Sequence, residues 1–323
     1  RHRSYPYDAL VASVGGFPDS AGAGIGGLES QYTETLGGVA GRLIPARNDN
    51  GGEMPADEES VKYDSEDGQS IVLTINADIQ QSLEKHLTSA VNRYQAAERG
   101  MGIVFDVNPG AILAMATKPD FNPNEPYFIW DDATRAAIEA MPANTEEEQA
   151  AKTQAQGAAR IRQWRNKAVA DTYEPGSVFK VITAAAALDS GTATPETGYY
   201  CSGSISVADR TMGCASGAVH QHLSLSQALI ESCNVSFIQI GQQLGASTWY
   251  DYVNAFGLTE PPGVDLPGEP IQASINQRVY SEAGLGPVQL ASCSFGQSNK
   301  YTALQMVTAV SAAVNGGNLV QPH

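Results

Sequence analysis

Cysteine is scarce in this sequence, with four among 323 residues, too few for a disulfide scaffold. Cations are also in the minority: 19 Lys and Arg stand against 35 Asp and Glu, a formal net charge of -16. That balance argues against nucleic acid and against an anionic membrane surface as main partners, since both would repel it. No apolar run approaches the ~20 residues that span a bilayer. A signal peptide is missing, and so is an initiating methionine, because the chain opens Arg1-His2-Arg3. It reads as a fragment, with any anchor or domain before residue 1 outside it. A phosphate-cradling loop is missing too. Gly22-Ala23-Gly24-Ile25-Gly26-Gly27 lacks the Lys-Ser/Thr pair and the strand-to-helix setting that such loops need.

What remains is an ordinary globular composition, 42% hydrophobic, long enough for one large domain or two smaller ones. Residues 1 to about 60 are rich in Gly and turn residues, with short apolar runs such as Ala9-Leu10-Val11. Asn48 to Ser70 is polar and acidic, an exposed loop or a domain boundary. Ile71-Val72-Leu73-Thr74-Ile75 predicts a strand. Asn76 or Asp78 then caps a helix whose apolar face is Ile79, Leu83, Leu87, Val91 and Tyr94. Residues 102–107 and 111–116 predict adjacent antiparallel strands joined at Asn108-Pro109-Gly110. From Asp131 to Arg165 the chain is helical in propensity, and Glu146-Glu147-Glu148 reads as a solvated face. Further helices are expected at 177–189, 224–243, 247–256 and 302–314, with Leu319-Val320 opening another strand. There is no internal repeat. Strands bracketing a block of helices give an α+β class, an antiparallel sheet with a helical layer.

The chemistry is carried by Ser177-Val178-Phe179-Lys180, preceded by Tyr173-Glu174-Pro175-Gly176. A serine and a lysine one helical turn apart share a face, so their side chains meet. A serine hydroxyl needs a base to become a nucleophile, and a desolvated lysine can serve. The pattern alone does not discriminate, since Ser82-Leu83-Glu84-Lys85 fits it as well. That copy falls on the polar side of an amphipathic helix with no loop entry before it. At Ser177 a Pro-Gly loop leads in, and Val181, Ile182, Ala184 and Ala185 make the following helix apolar. Burial there would lower the lysine pKa. A second element is Ser232-Cys233-Asn234, where a hydroxyl and an amide could relay a proton and hold a substrate amide. A helix cap or a satisfied polar pair is the other reading, and Ser274-Ile275-Asn276 is a second instance of the spacing. Glu174 beside the nucleophile reads as compensation of the helix dipole rather than as a base.

The order of these pieces is more specific than any one of them. Trp164-Arg165-Asn166-Lys167-Ala168 leads into Tyr173 to Lys180. Ser232-Cys233-Asn234 follows, then Ser294-Phe295-Gly296-Gln297, Thr302-Ala303-Leu304-Gln305 and Asn315-Gly316-Gly317. This resembles the transpeptidase domain of a class B penicillin-binding protein, of the sporulation and cell-division branches. Gly27-Leu28-Glu29-Ser30-Gln31-Tyr32 and Leu36 to Arg42 resemble the end of that family's non-catalytic pedestal (dimerisation) domain. The resemblance therefore implies a pedestal remnant over 1–60 and a transpeptidase domain of serine β-lactamase-like fold over 61–323. It implies Ser177 as nucleophile on a D-Ala-D-Ala stem peptide of peptidoglycan and Lys180 as its base. Ser232 would be the proton relay to the leaving D-alanine, and Asn234 would hold the substrate backbone. β-Lactams would acylate Ser177, no cofactor would be needed for catalysis, and a glycan-polymerase protein would be a partner. The site would face the outside of the bacterial cytoplasmic membrane. The family's third motif, Lys-Thr/Ser-Gly, is absent up to His323. The expectation is a chain that stops short of it and is inactive by itself.

Between the two motifs, Cys201, Cys214, His220 and His222 lie within 22 residues. Two thiolates and two imidazoles make a reasonable tetrahedral zinc set. Some class B relatives carry zinc in this segment, which the resemblance extends to a structural zinc here. A Cys201–Cys214 disulfide and free surface residues are the alternatives. On a strand His220 and His222 would share a face. Asp209 is a reserve ligand, while Cys233 and Cys293, in apolar settings, read as buried small residues. Two rival functions stay open. One is a serine β-lactamase or carboxypeptidase, against which stands the lack of a Glu-x-x-Leu-Asn after Asn234. The other is a non-catalytic β-lactam sensor or wall-assembly scaffold.

Overall fold

The computed structural model describes residues 3–44, 61–96 and 100–323. Two compact units divide the chain: Arg1–Leu73 with Asp120–Trp164, and Thr74–Pro119 with Arg165–His323. This division differs from a single boundary at residue 60. The reason is an excursion of the chain, 120–164, whose aromatic residues pack on the N-terminal segment. Phe17 is buried, with Phe121, Tyr127 and Trp164 meeting its ring edge-on at 5.7, 5.9 and 5.1 Å. Such pairs add to the burial of apolar area.

Within that first unit, Asp131 caps the helix Asp132–Glu139 by accepting from Thr134 N at 2.8 Å. The long helix Glu146–Trp164 opens on the acidic run. Glu146 and Glu147 are exposed as expected, while Glu148 is half-buried and closes the helix entry. Its carboxylate accepts from Thr145 N while Thr145 Oγ1 accepts from Glu148 N, both at 3.2 Å. That is a reciprocal capping box, legible as Thr145-x-x-Glu148. The acidic stretch 48–70 falls largely outside the described residues; its end, Val61–Tyr63, pairs antiparallel with Arg42–Ile44.

The second unit carries the site. Asn76 caps the helix Ala77–Tyr94, accepting from Asp78 N and Ile79 N at 3.0 and 3.1 Å. Its face of Leu83, Leu87 and Val91 lies over Gly100 and Gly102. Tyr94, placed on that face by periodicity, is exposed. Gln80 is fully buried and spends its amide on Met115, donating to its carbonyl at 2.9 Å and accepting from its N–H at 2.8 Å. The strands Gly100–Phe105 and Ile112–Lys118 pair antiparallel through the expected turn. Ile71 to Ile75 forms no strand. It is rich in β-branched residues but has no continuous partner among the described residues; Asn76 N donates to Leu113 O and Thr74 Oγ1 to Ile112 O, both at 2.8 Å, and Thr74 Oγ1 also to His323 O at 3.2 Å. Leu319-Val320 likewise starts no strand, although His323 exchanges backbone bonds with Gly110 and Ile112.

The helical layer comprises Lys180–Asp189, Asn234–Leu244, Ala246–Ala255, Pro287–Cys293 and Ala303–Val314. They share one core in which Ile182, Phe237, Ile238, Ile240, Trp249, Ala291 and Ala309 are at most 1% exposed. The expected helix at 224–243 is broken into Leu225–Ile230 and Asn234–Leu244. The break holds Ser232 and Cys233. Every strand pairing among the described residues is antiparallel.

Candidate active site

Thr172–Tyr173 pairs antiparallel with Tyr301–Thr302, which fixes the chain just before the nucleophile. Pro175 and Gly176 then turn it. Gly176 has φ +59°, a left-handed value that a side chain would disfavour. A tight turn, Gly176–Phe179, runs directly into the helix Lys180–Asp189. In such a turn residues three apart eclipse, so Ser177 and Lys180 face the same way. Phe179 points into the core instead, stacked on Tyr301 at 5.7 Å. Ser177 is exposed, and Lys180 is fully buried. Its Nζ lies 3.1 Å from Ser177 Oγ.

The opposite wall is the break between the two helices. Ser232 has φ +51°, in the left-handed region, where a serine is strained. Lys180 Nζ reaches Ser232 O at 2.5 Å, Ser232 Oγ at 2.9 Å and Asn234 Oδ1 at 2.7 Å. Ser232 Oγ donates to Ser177 Oγ at 2.8 Å. Asn234 keeps its amide oriented by donating Nδ2 to Gly213 O at 3.1 Å. Beneath the ammonium lies the Phe237 ring, its centroid 5.6 Å away. The structure thus brings Ser177, Lys180, Ser232 and Asn234 onto one nitrogen.

That nitrogen is set up as a base. Burial lowers the Lys180 pKa from 10.5 to about 8, against an opposing pull from the thiols of Cys233 and Cys214. A carbonyl and an amide oxygen can only accept, so Ser232 O and Asn234 Oδ1 occupy both N–H bonds of the neutral amine. The remaining lone pair is left for a hydroxyl, and Ser177 is within reach. The helix entry at Ser177 has no side-chain cap; Gly176 N is taken by Gly296 O at 2.9 Å, and the Ser177 N–H is a candidate donor to a developing anion. The rival pair is different: Ser82 and Lys85 are both exposed. Ser274 and Asn276 belong to a short helical turn, where Asn276 accepts from Gln272 at 3.0 Å.

Behind Asn234 is a second cluster. Cys201, Cys214, His220 and Cys233 place one donor atom each within 4.8 Å of one another. Cys201 Sγ is 3.6 Å from Cys214 Sγ, which is 3.6 Å from Cys233 Sγ, and His220 Nδ1 is 3.4 Å from Cys201 Sγ. All four cysteines of the chain are free thiols. The grouping differs from the set read in the sequence. His222 is not in the cluster; it is exposed, tilted against Tyr200 at 4.9 Å. Gln221 between the two histidines has φ +60°, and the strand Gln221–Ser224 begins after His220, so no alternation puts the rings together. Cys233 takes the fourth place. It is buried as read, but its sulfur faces Cys214. Asp209 stands at an exposed hairpin tip, outside the cluster. Cys293 is buried apart, its thiol pushed up to about 12 by burial.

The donor chemistry fits a closed tetrahedral zinc set. Zn–S bonds of about 2.3 Å put sulfurs about 3.8 Å apart in a tetrahedron, close to the spacings here. Burial raises the Cys201 thiol, but hydrogen bonds from His220 and Gly203 outweigh it and lower the pKa. Burial raises that of Cys233. Three adjacent thiols cannot all ionise in a buried site without a cation among them.

Sequence comparison places the chain among known proteins. It is 31% identical to stage V sporulation protein D of Bacillus subtilis, over 99% of this chain and 44% of that protein. It is 28% identical to PenA of Neisseria gonorrhoeae, a probable peptidoglycan D,D-transpeptidase, over 98% of this chain and 48% of that one. The chain thus spans under half the length of these relatives. Among solved structures, penicillin-binding protein 3 of Mycobacterium tuberculosis complexed with aztreonam superposes with a TM-score of 0.75. That match is at 27% identity and covers 99% of this chain and 60% of that one. Residues 100–323 match the penicillin binding protein transpeptidase domain. Because that match takes in Ser177, Lys180, Ser232 and Asn234 alike, the chain belongs to the penicillin-binding protein transpeptidase family.

Proposed function

We propose that this chain supplies the acylating site of a peptidoglycan D,D-transpeptidase. The observation that carries the reading is the buried Lys180 amine, shared between Ser177, Ser232 and Asn234. Lys180 takes the Ser177 proton as Oγ attacks the carbonyl between two D-alanines of a stem peptide. The Ser177 backbone N–H faces the resulting oxyanion, and one such donor is worth ~3 kcal/mol. Ser232, bonded to both Lys180 and Ser177, passes a proton to the leaving D-alanine nitrogen. An amine of a neighbouring stem then attacks the Ser177 ester, and the serine recovers its proton as the cross-link forms. Asn234 positions the donor backbone and Lys180 together. Such cross-linking acts on glycan strands, so a polymerase protein is the fitting partner, and peptidoglycan places the work outside the cytoplasmic membrane. No described helix is long and apolar enough to cross a membrane. The relatives favour a role in sporulation or division.

A β-lactam presents the same carbonyl with its leaving nitrogen tethered, so Ser177 is acylated and remains blocked. The aztreonam complex of the mycobacterial protein supports this for the family site. Labelling the full-length protein with a fluorescent penicillin tests it. The parent labels covalently and Ser177→Ala does not; a labelled Ser177→Ala protein overturns the assignment. Turnover of a chromogenic β-lactam at many per second would instead favour a β-lactamase.

We infer further that Cys201, Cys214, His220 and Cys233 hold a structural zinc. The metal would neutralise the thiolates and tie Cys233, the residue between Ser232 and Asn234, to the strand ends at Cys201 and Cys214. Metal analysis of purified protein should find one zinc per chain, lost in Cys214→Ser. A parent protein free of zinc sinks this reading.

A further inference from the structure

Ser177 has a base and a relay, but little holds the serine itself. Its side chain is exposed and meets Lys180 and Ser232. Its position therefore depends on the five residues before it, and these are stitched to one distant segment. Thr172 and Tyr173 pair with Thr302 and Tyr301. The carboxylate of Glu174 accepts from Ser298 N through Oε1 at 3.1 Å. Gly176 N donates to Gly296 O at 2.9 Å.

The fit at Gly296 is tight. It has φ +89°, and a Cβ there would sit 1.9 Å from Gly176 O and 2.8 Å from Phe179 Cβ. Both atoms flank Ser177 in sequence. The same segment grips the helix that carries Lys180, because Thr183 Oγ1 donates to Ser294 O at 2.9 Å. Ser298, held at φ +73°, is braced by Ser292 through hydroxyls 2.9 Å apart. One loop thus fixes the strand before the nucleophile and the helix after it.

We propose that Glu174 and the loop Gly296–Ser298 form a clasp that places Ser177 for acylation, which makes Glu174 and Gly296 positioning residues for the reaction. Glu174 acts as a hydrogen-bond acceptor for a backbone N–H and not as a proton acceptor from Ser177. The proposal rests on Ser177 being the nucleophile, and its test separates the two.

The experiment measures, in the full-length protein, the acylation rate constant and the pre-covalent dissociation constant for a fluorescent penicillin. Glu174→Ala should lower the rate constant about tenfold and leave the dissociation constant within about twofold, since misplacing a reacting group by an ångström costs up to 100-fold. Glu174→Gln keeps an acceptor oxygen and should recover the parent rate to within about twofold. Gly296→Ala should cost about 100-fold. Parent-like rates in Glu174→Ala overturn the clasp, as does equal loss in Glu174→Gln, which would mark a role for the charge. So does a loss of rate matched by weaker pre-covalent binding. Amide hydrogen exchange gives a readout free of β-lactam chemistry. In Glu174→Ala and Gly296→Ala the Gly176 N–H should lose protection while the helix 303–314 keeps its own. Unchanged protection at Gly176 overturns the clasp. A parent protein that takes no label overturns the nucleophile and leaves the exchange result to decide the clasp.

Discussion

Ser82 and Lys85 lie on the exposed side of the helix Ala77–Tyr94, while Ser177 and Lys180 open a helix whose lysine is fully buried. The two quartets share a spacing, so each puts hydroxyl and amine on one face. Their helix entries differ. Asn76 fills the orphan N–H groups of the first helix with its side chain. No side chain caps the second. Around Lys180 converge a serine carbonyl, two hydroxyls and an amide oxygen. A Ser-x-x-Lys becomes chemistry when the lysine is dried and its bonds are aimed, and when the helix entry is left open for substrate.

The strongest way to break the comparison is to remove each lysine. Lys180→Ala should lower penicillin acylation about 10³-fold, as loss of a positioned general base does. Lys85→Ala should leave it unchanged. Stopped-flow acylation, with circular dichroism to show that both variants fold, measures the pair. Acylation within tenfold of the parent in Lys180→Ala would remove lysine from the mechanism.

A smaller effect sharpens the role of burial. As the proposed base Lys180 would act in its neutral form, and burial brings its pKa down to about 8. The neutral fraction grows as pH rises toward that value. The acylation rate constant should therefore climb about tenfold per unit below it and level off above. Single-turnover acylation from pH 6 to 9.5 reads the inflection. A flat profile across that range would mean that the amine is already neutral or is not the base.

Much of this was legible in the sequence. The order of motifs, the loop entry at Pro175-Gly176, the Asn76 cap and the 100–118 hairpin all follow from local patterns, and the structure has them. What was not legible depended on distant partners. Cys233 looked like a small apolar residue because its neighbours Leu229, Ile230, Val235 and Phe237 are apolar. Its sulfur is a donor only because the strand ends at Cys201 and Cys214 arrive beside it. His222 was paired with His220 by strand alternation, which one left-handed residue, Gln221, cancels. The run Ile71 to Ile75 has strand residues but no partner strand, and propensity cannot supply one. Gly296 was visible within Ser294-Phe295-Gly296-Gln297, yet its approach to Gly176 is purely tertiary.

The smallest test returns to the helix entries. Asn76→Ala removes the cap from the helix that carries Ser82 and Lys85, leaving Asp78 N and Ile79 N without their side-chain acceptor. Loss of such a cap costs about 1 kcal/mol, read as a lowered midpoint in urea unfolding. Acylation at Ser177 should not move, because that helix packs chiefly on the strands Gly100–Phe105 and Ile112–Lys118. A change at the other entry should act on acylation instead. Gly176→Asp would set a negative charge at the first residue of the turn, beside the place where an oxyanion must form. Acylation should then fall while the helix gains nothing, because the φ of +59° at Gly176 disfavours any side chain. An Asn76→Ala protein that loses acylation in proportion to stability would show that the two helices answer to one another, and the contrast between a closed and an open entry would fail.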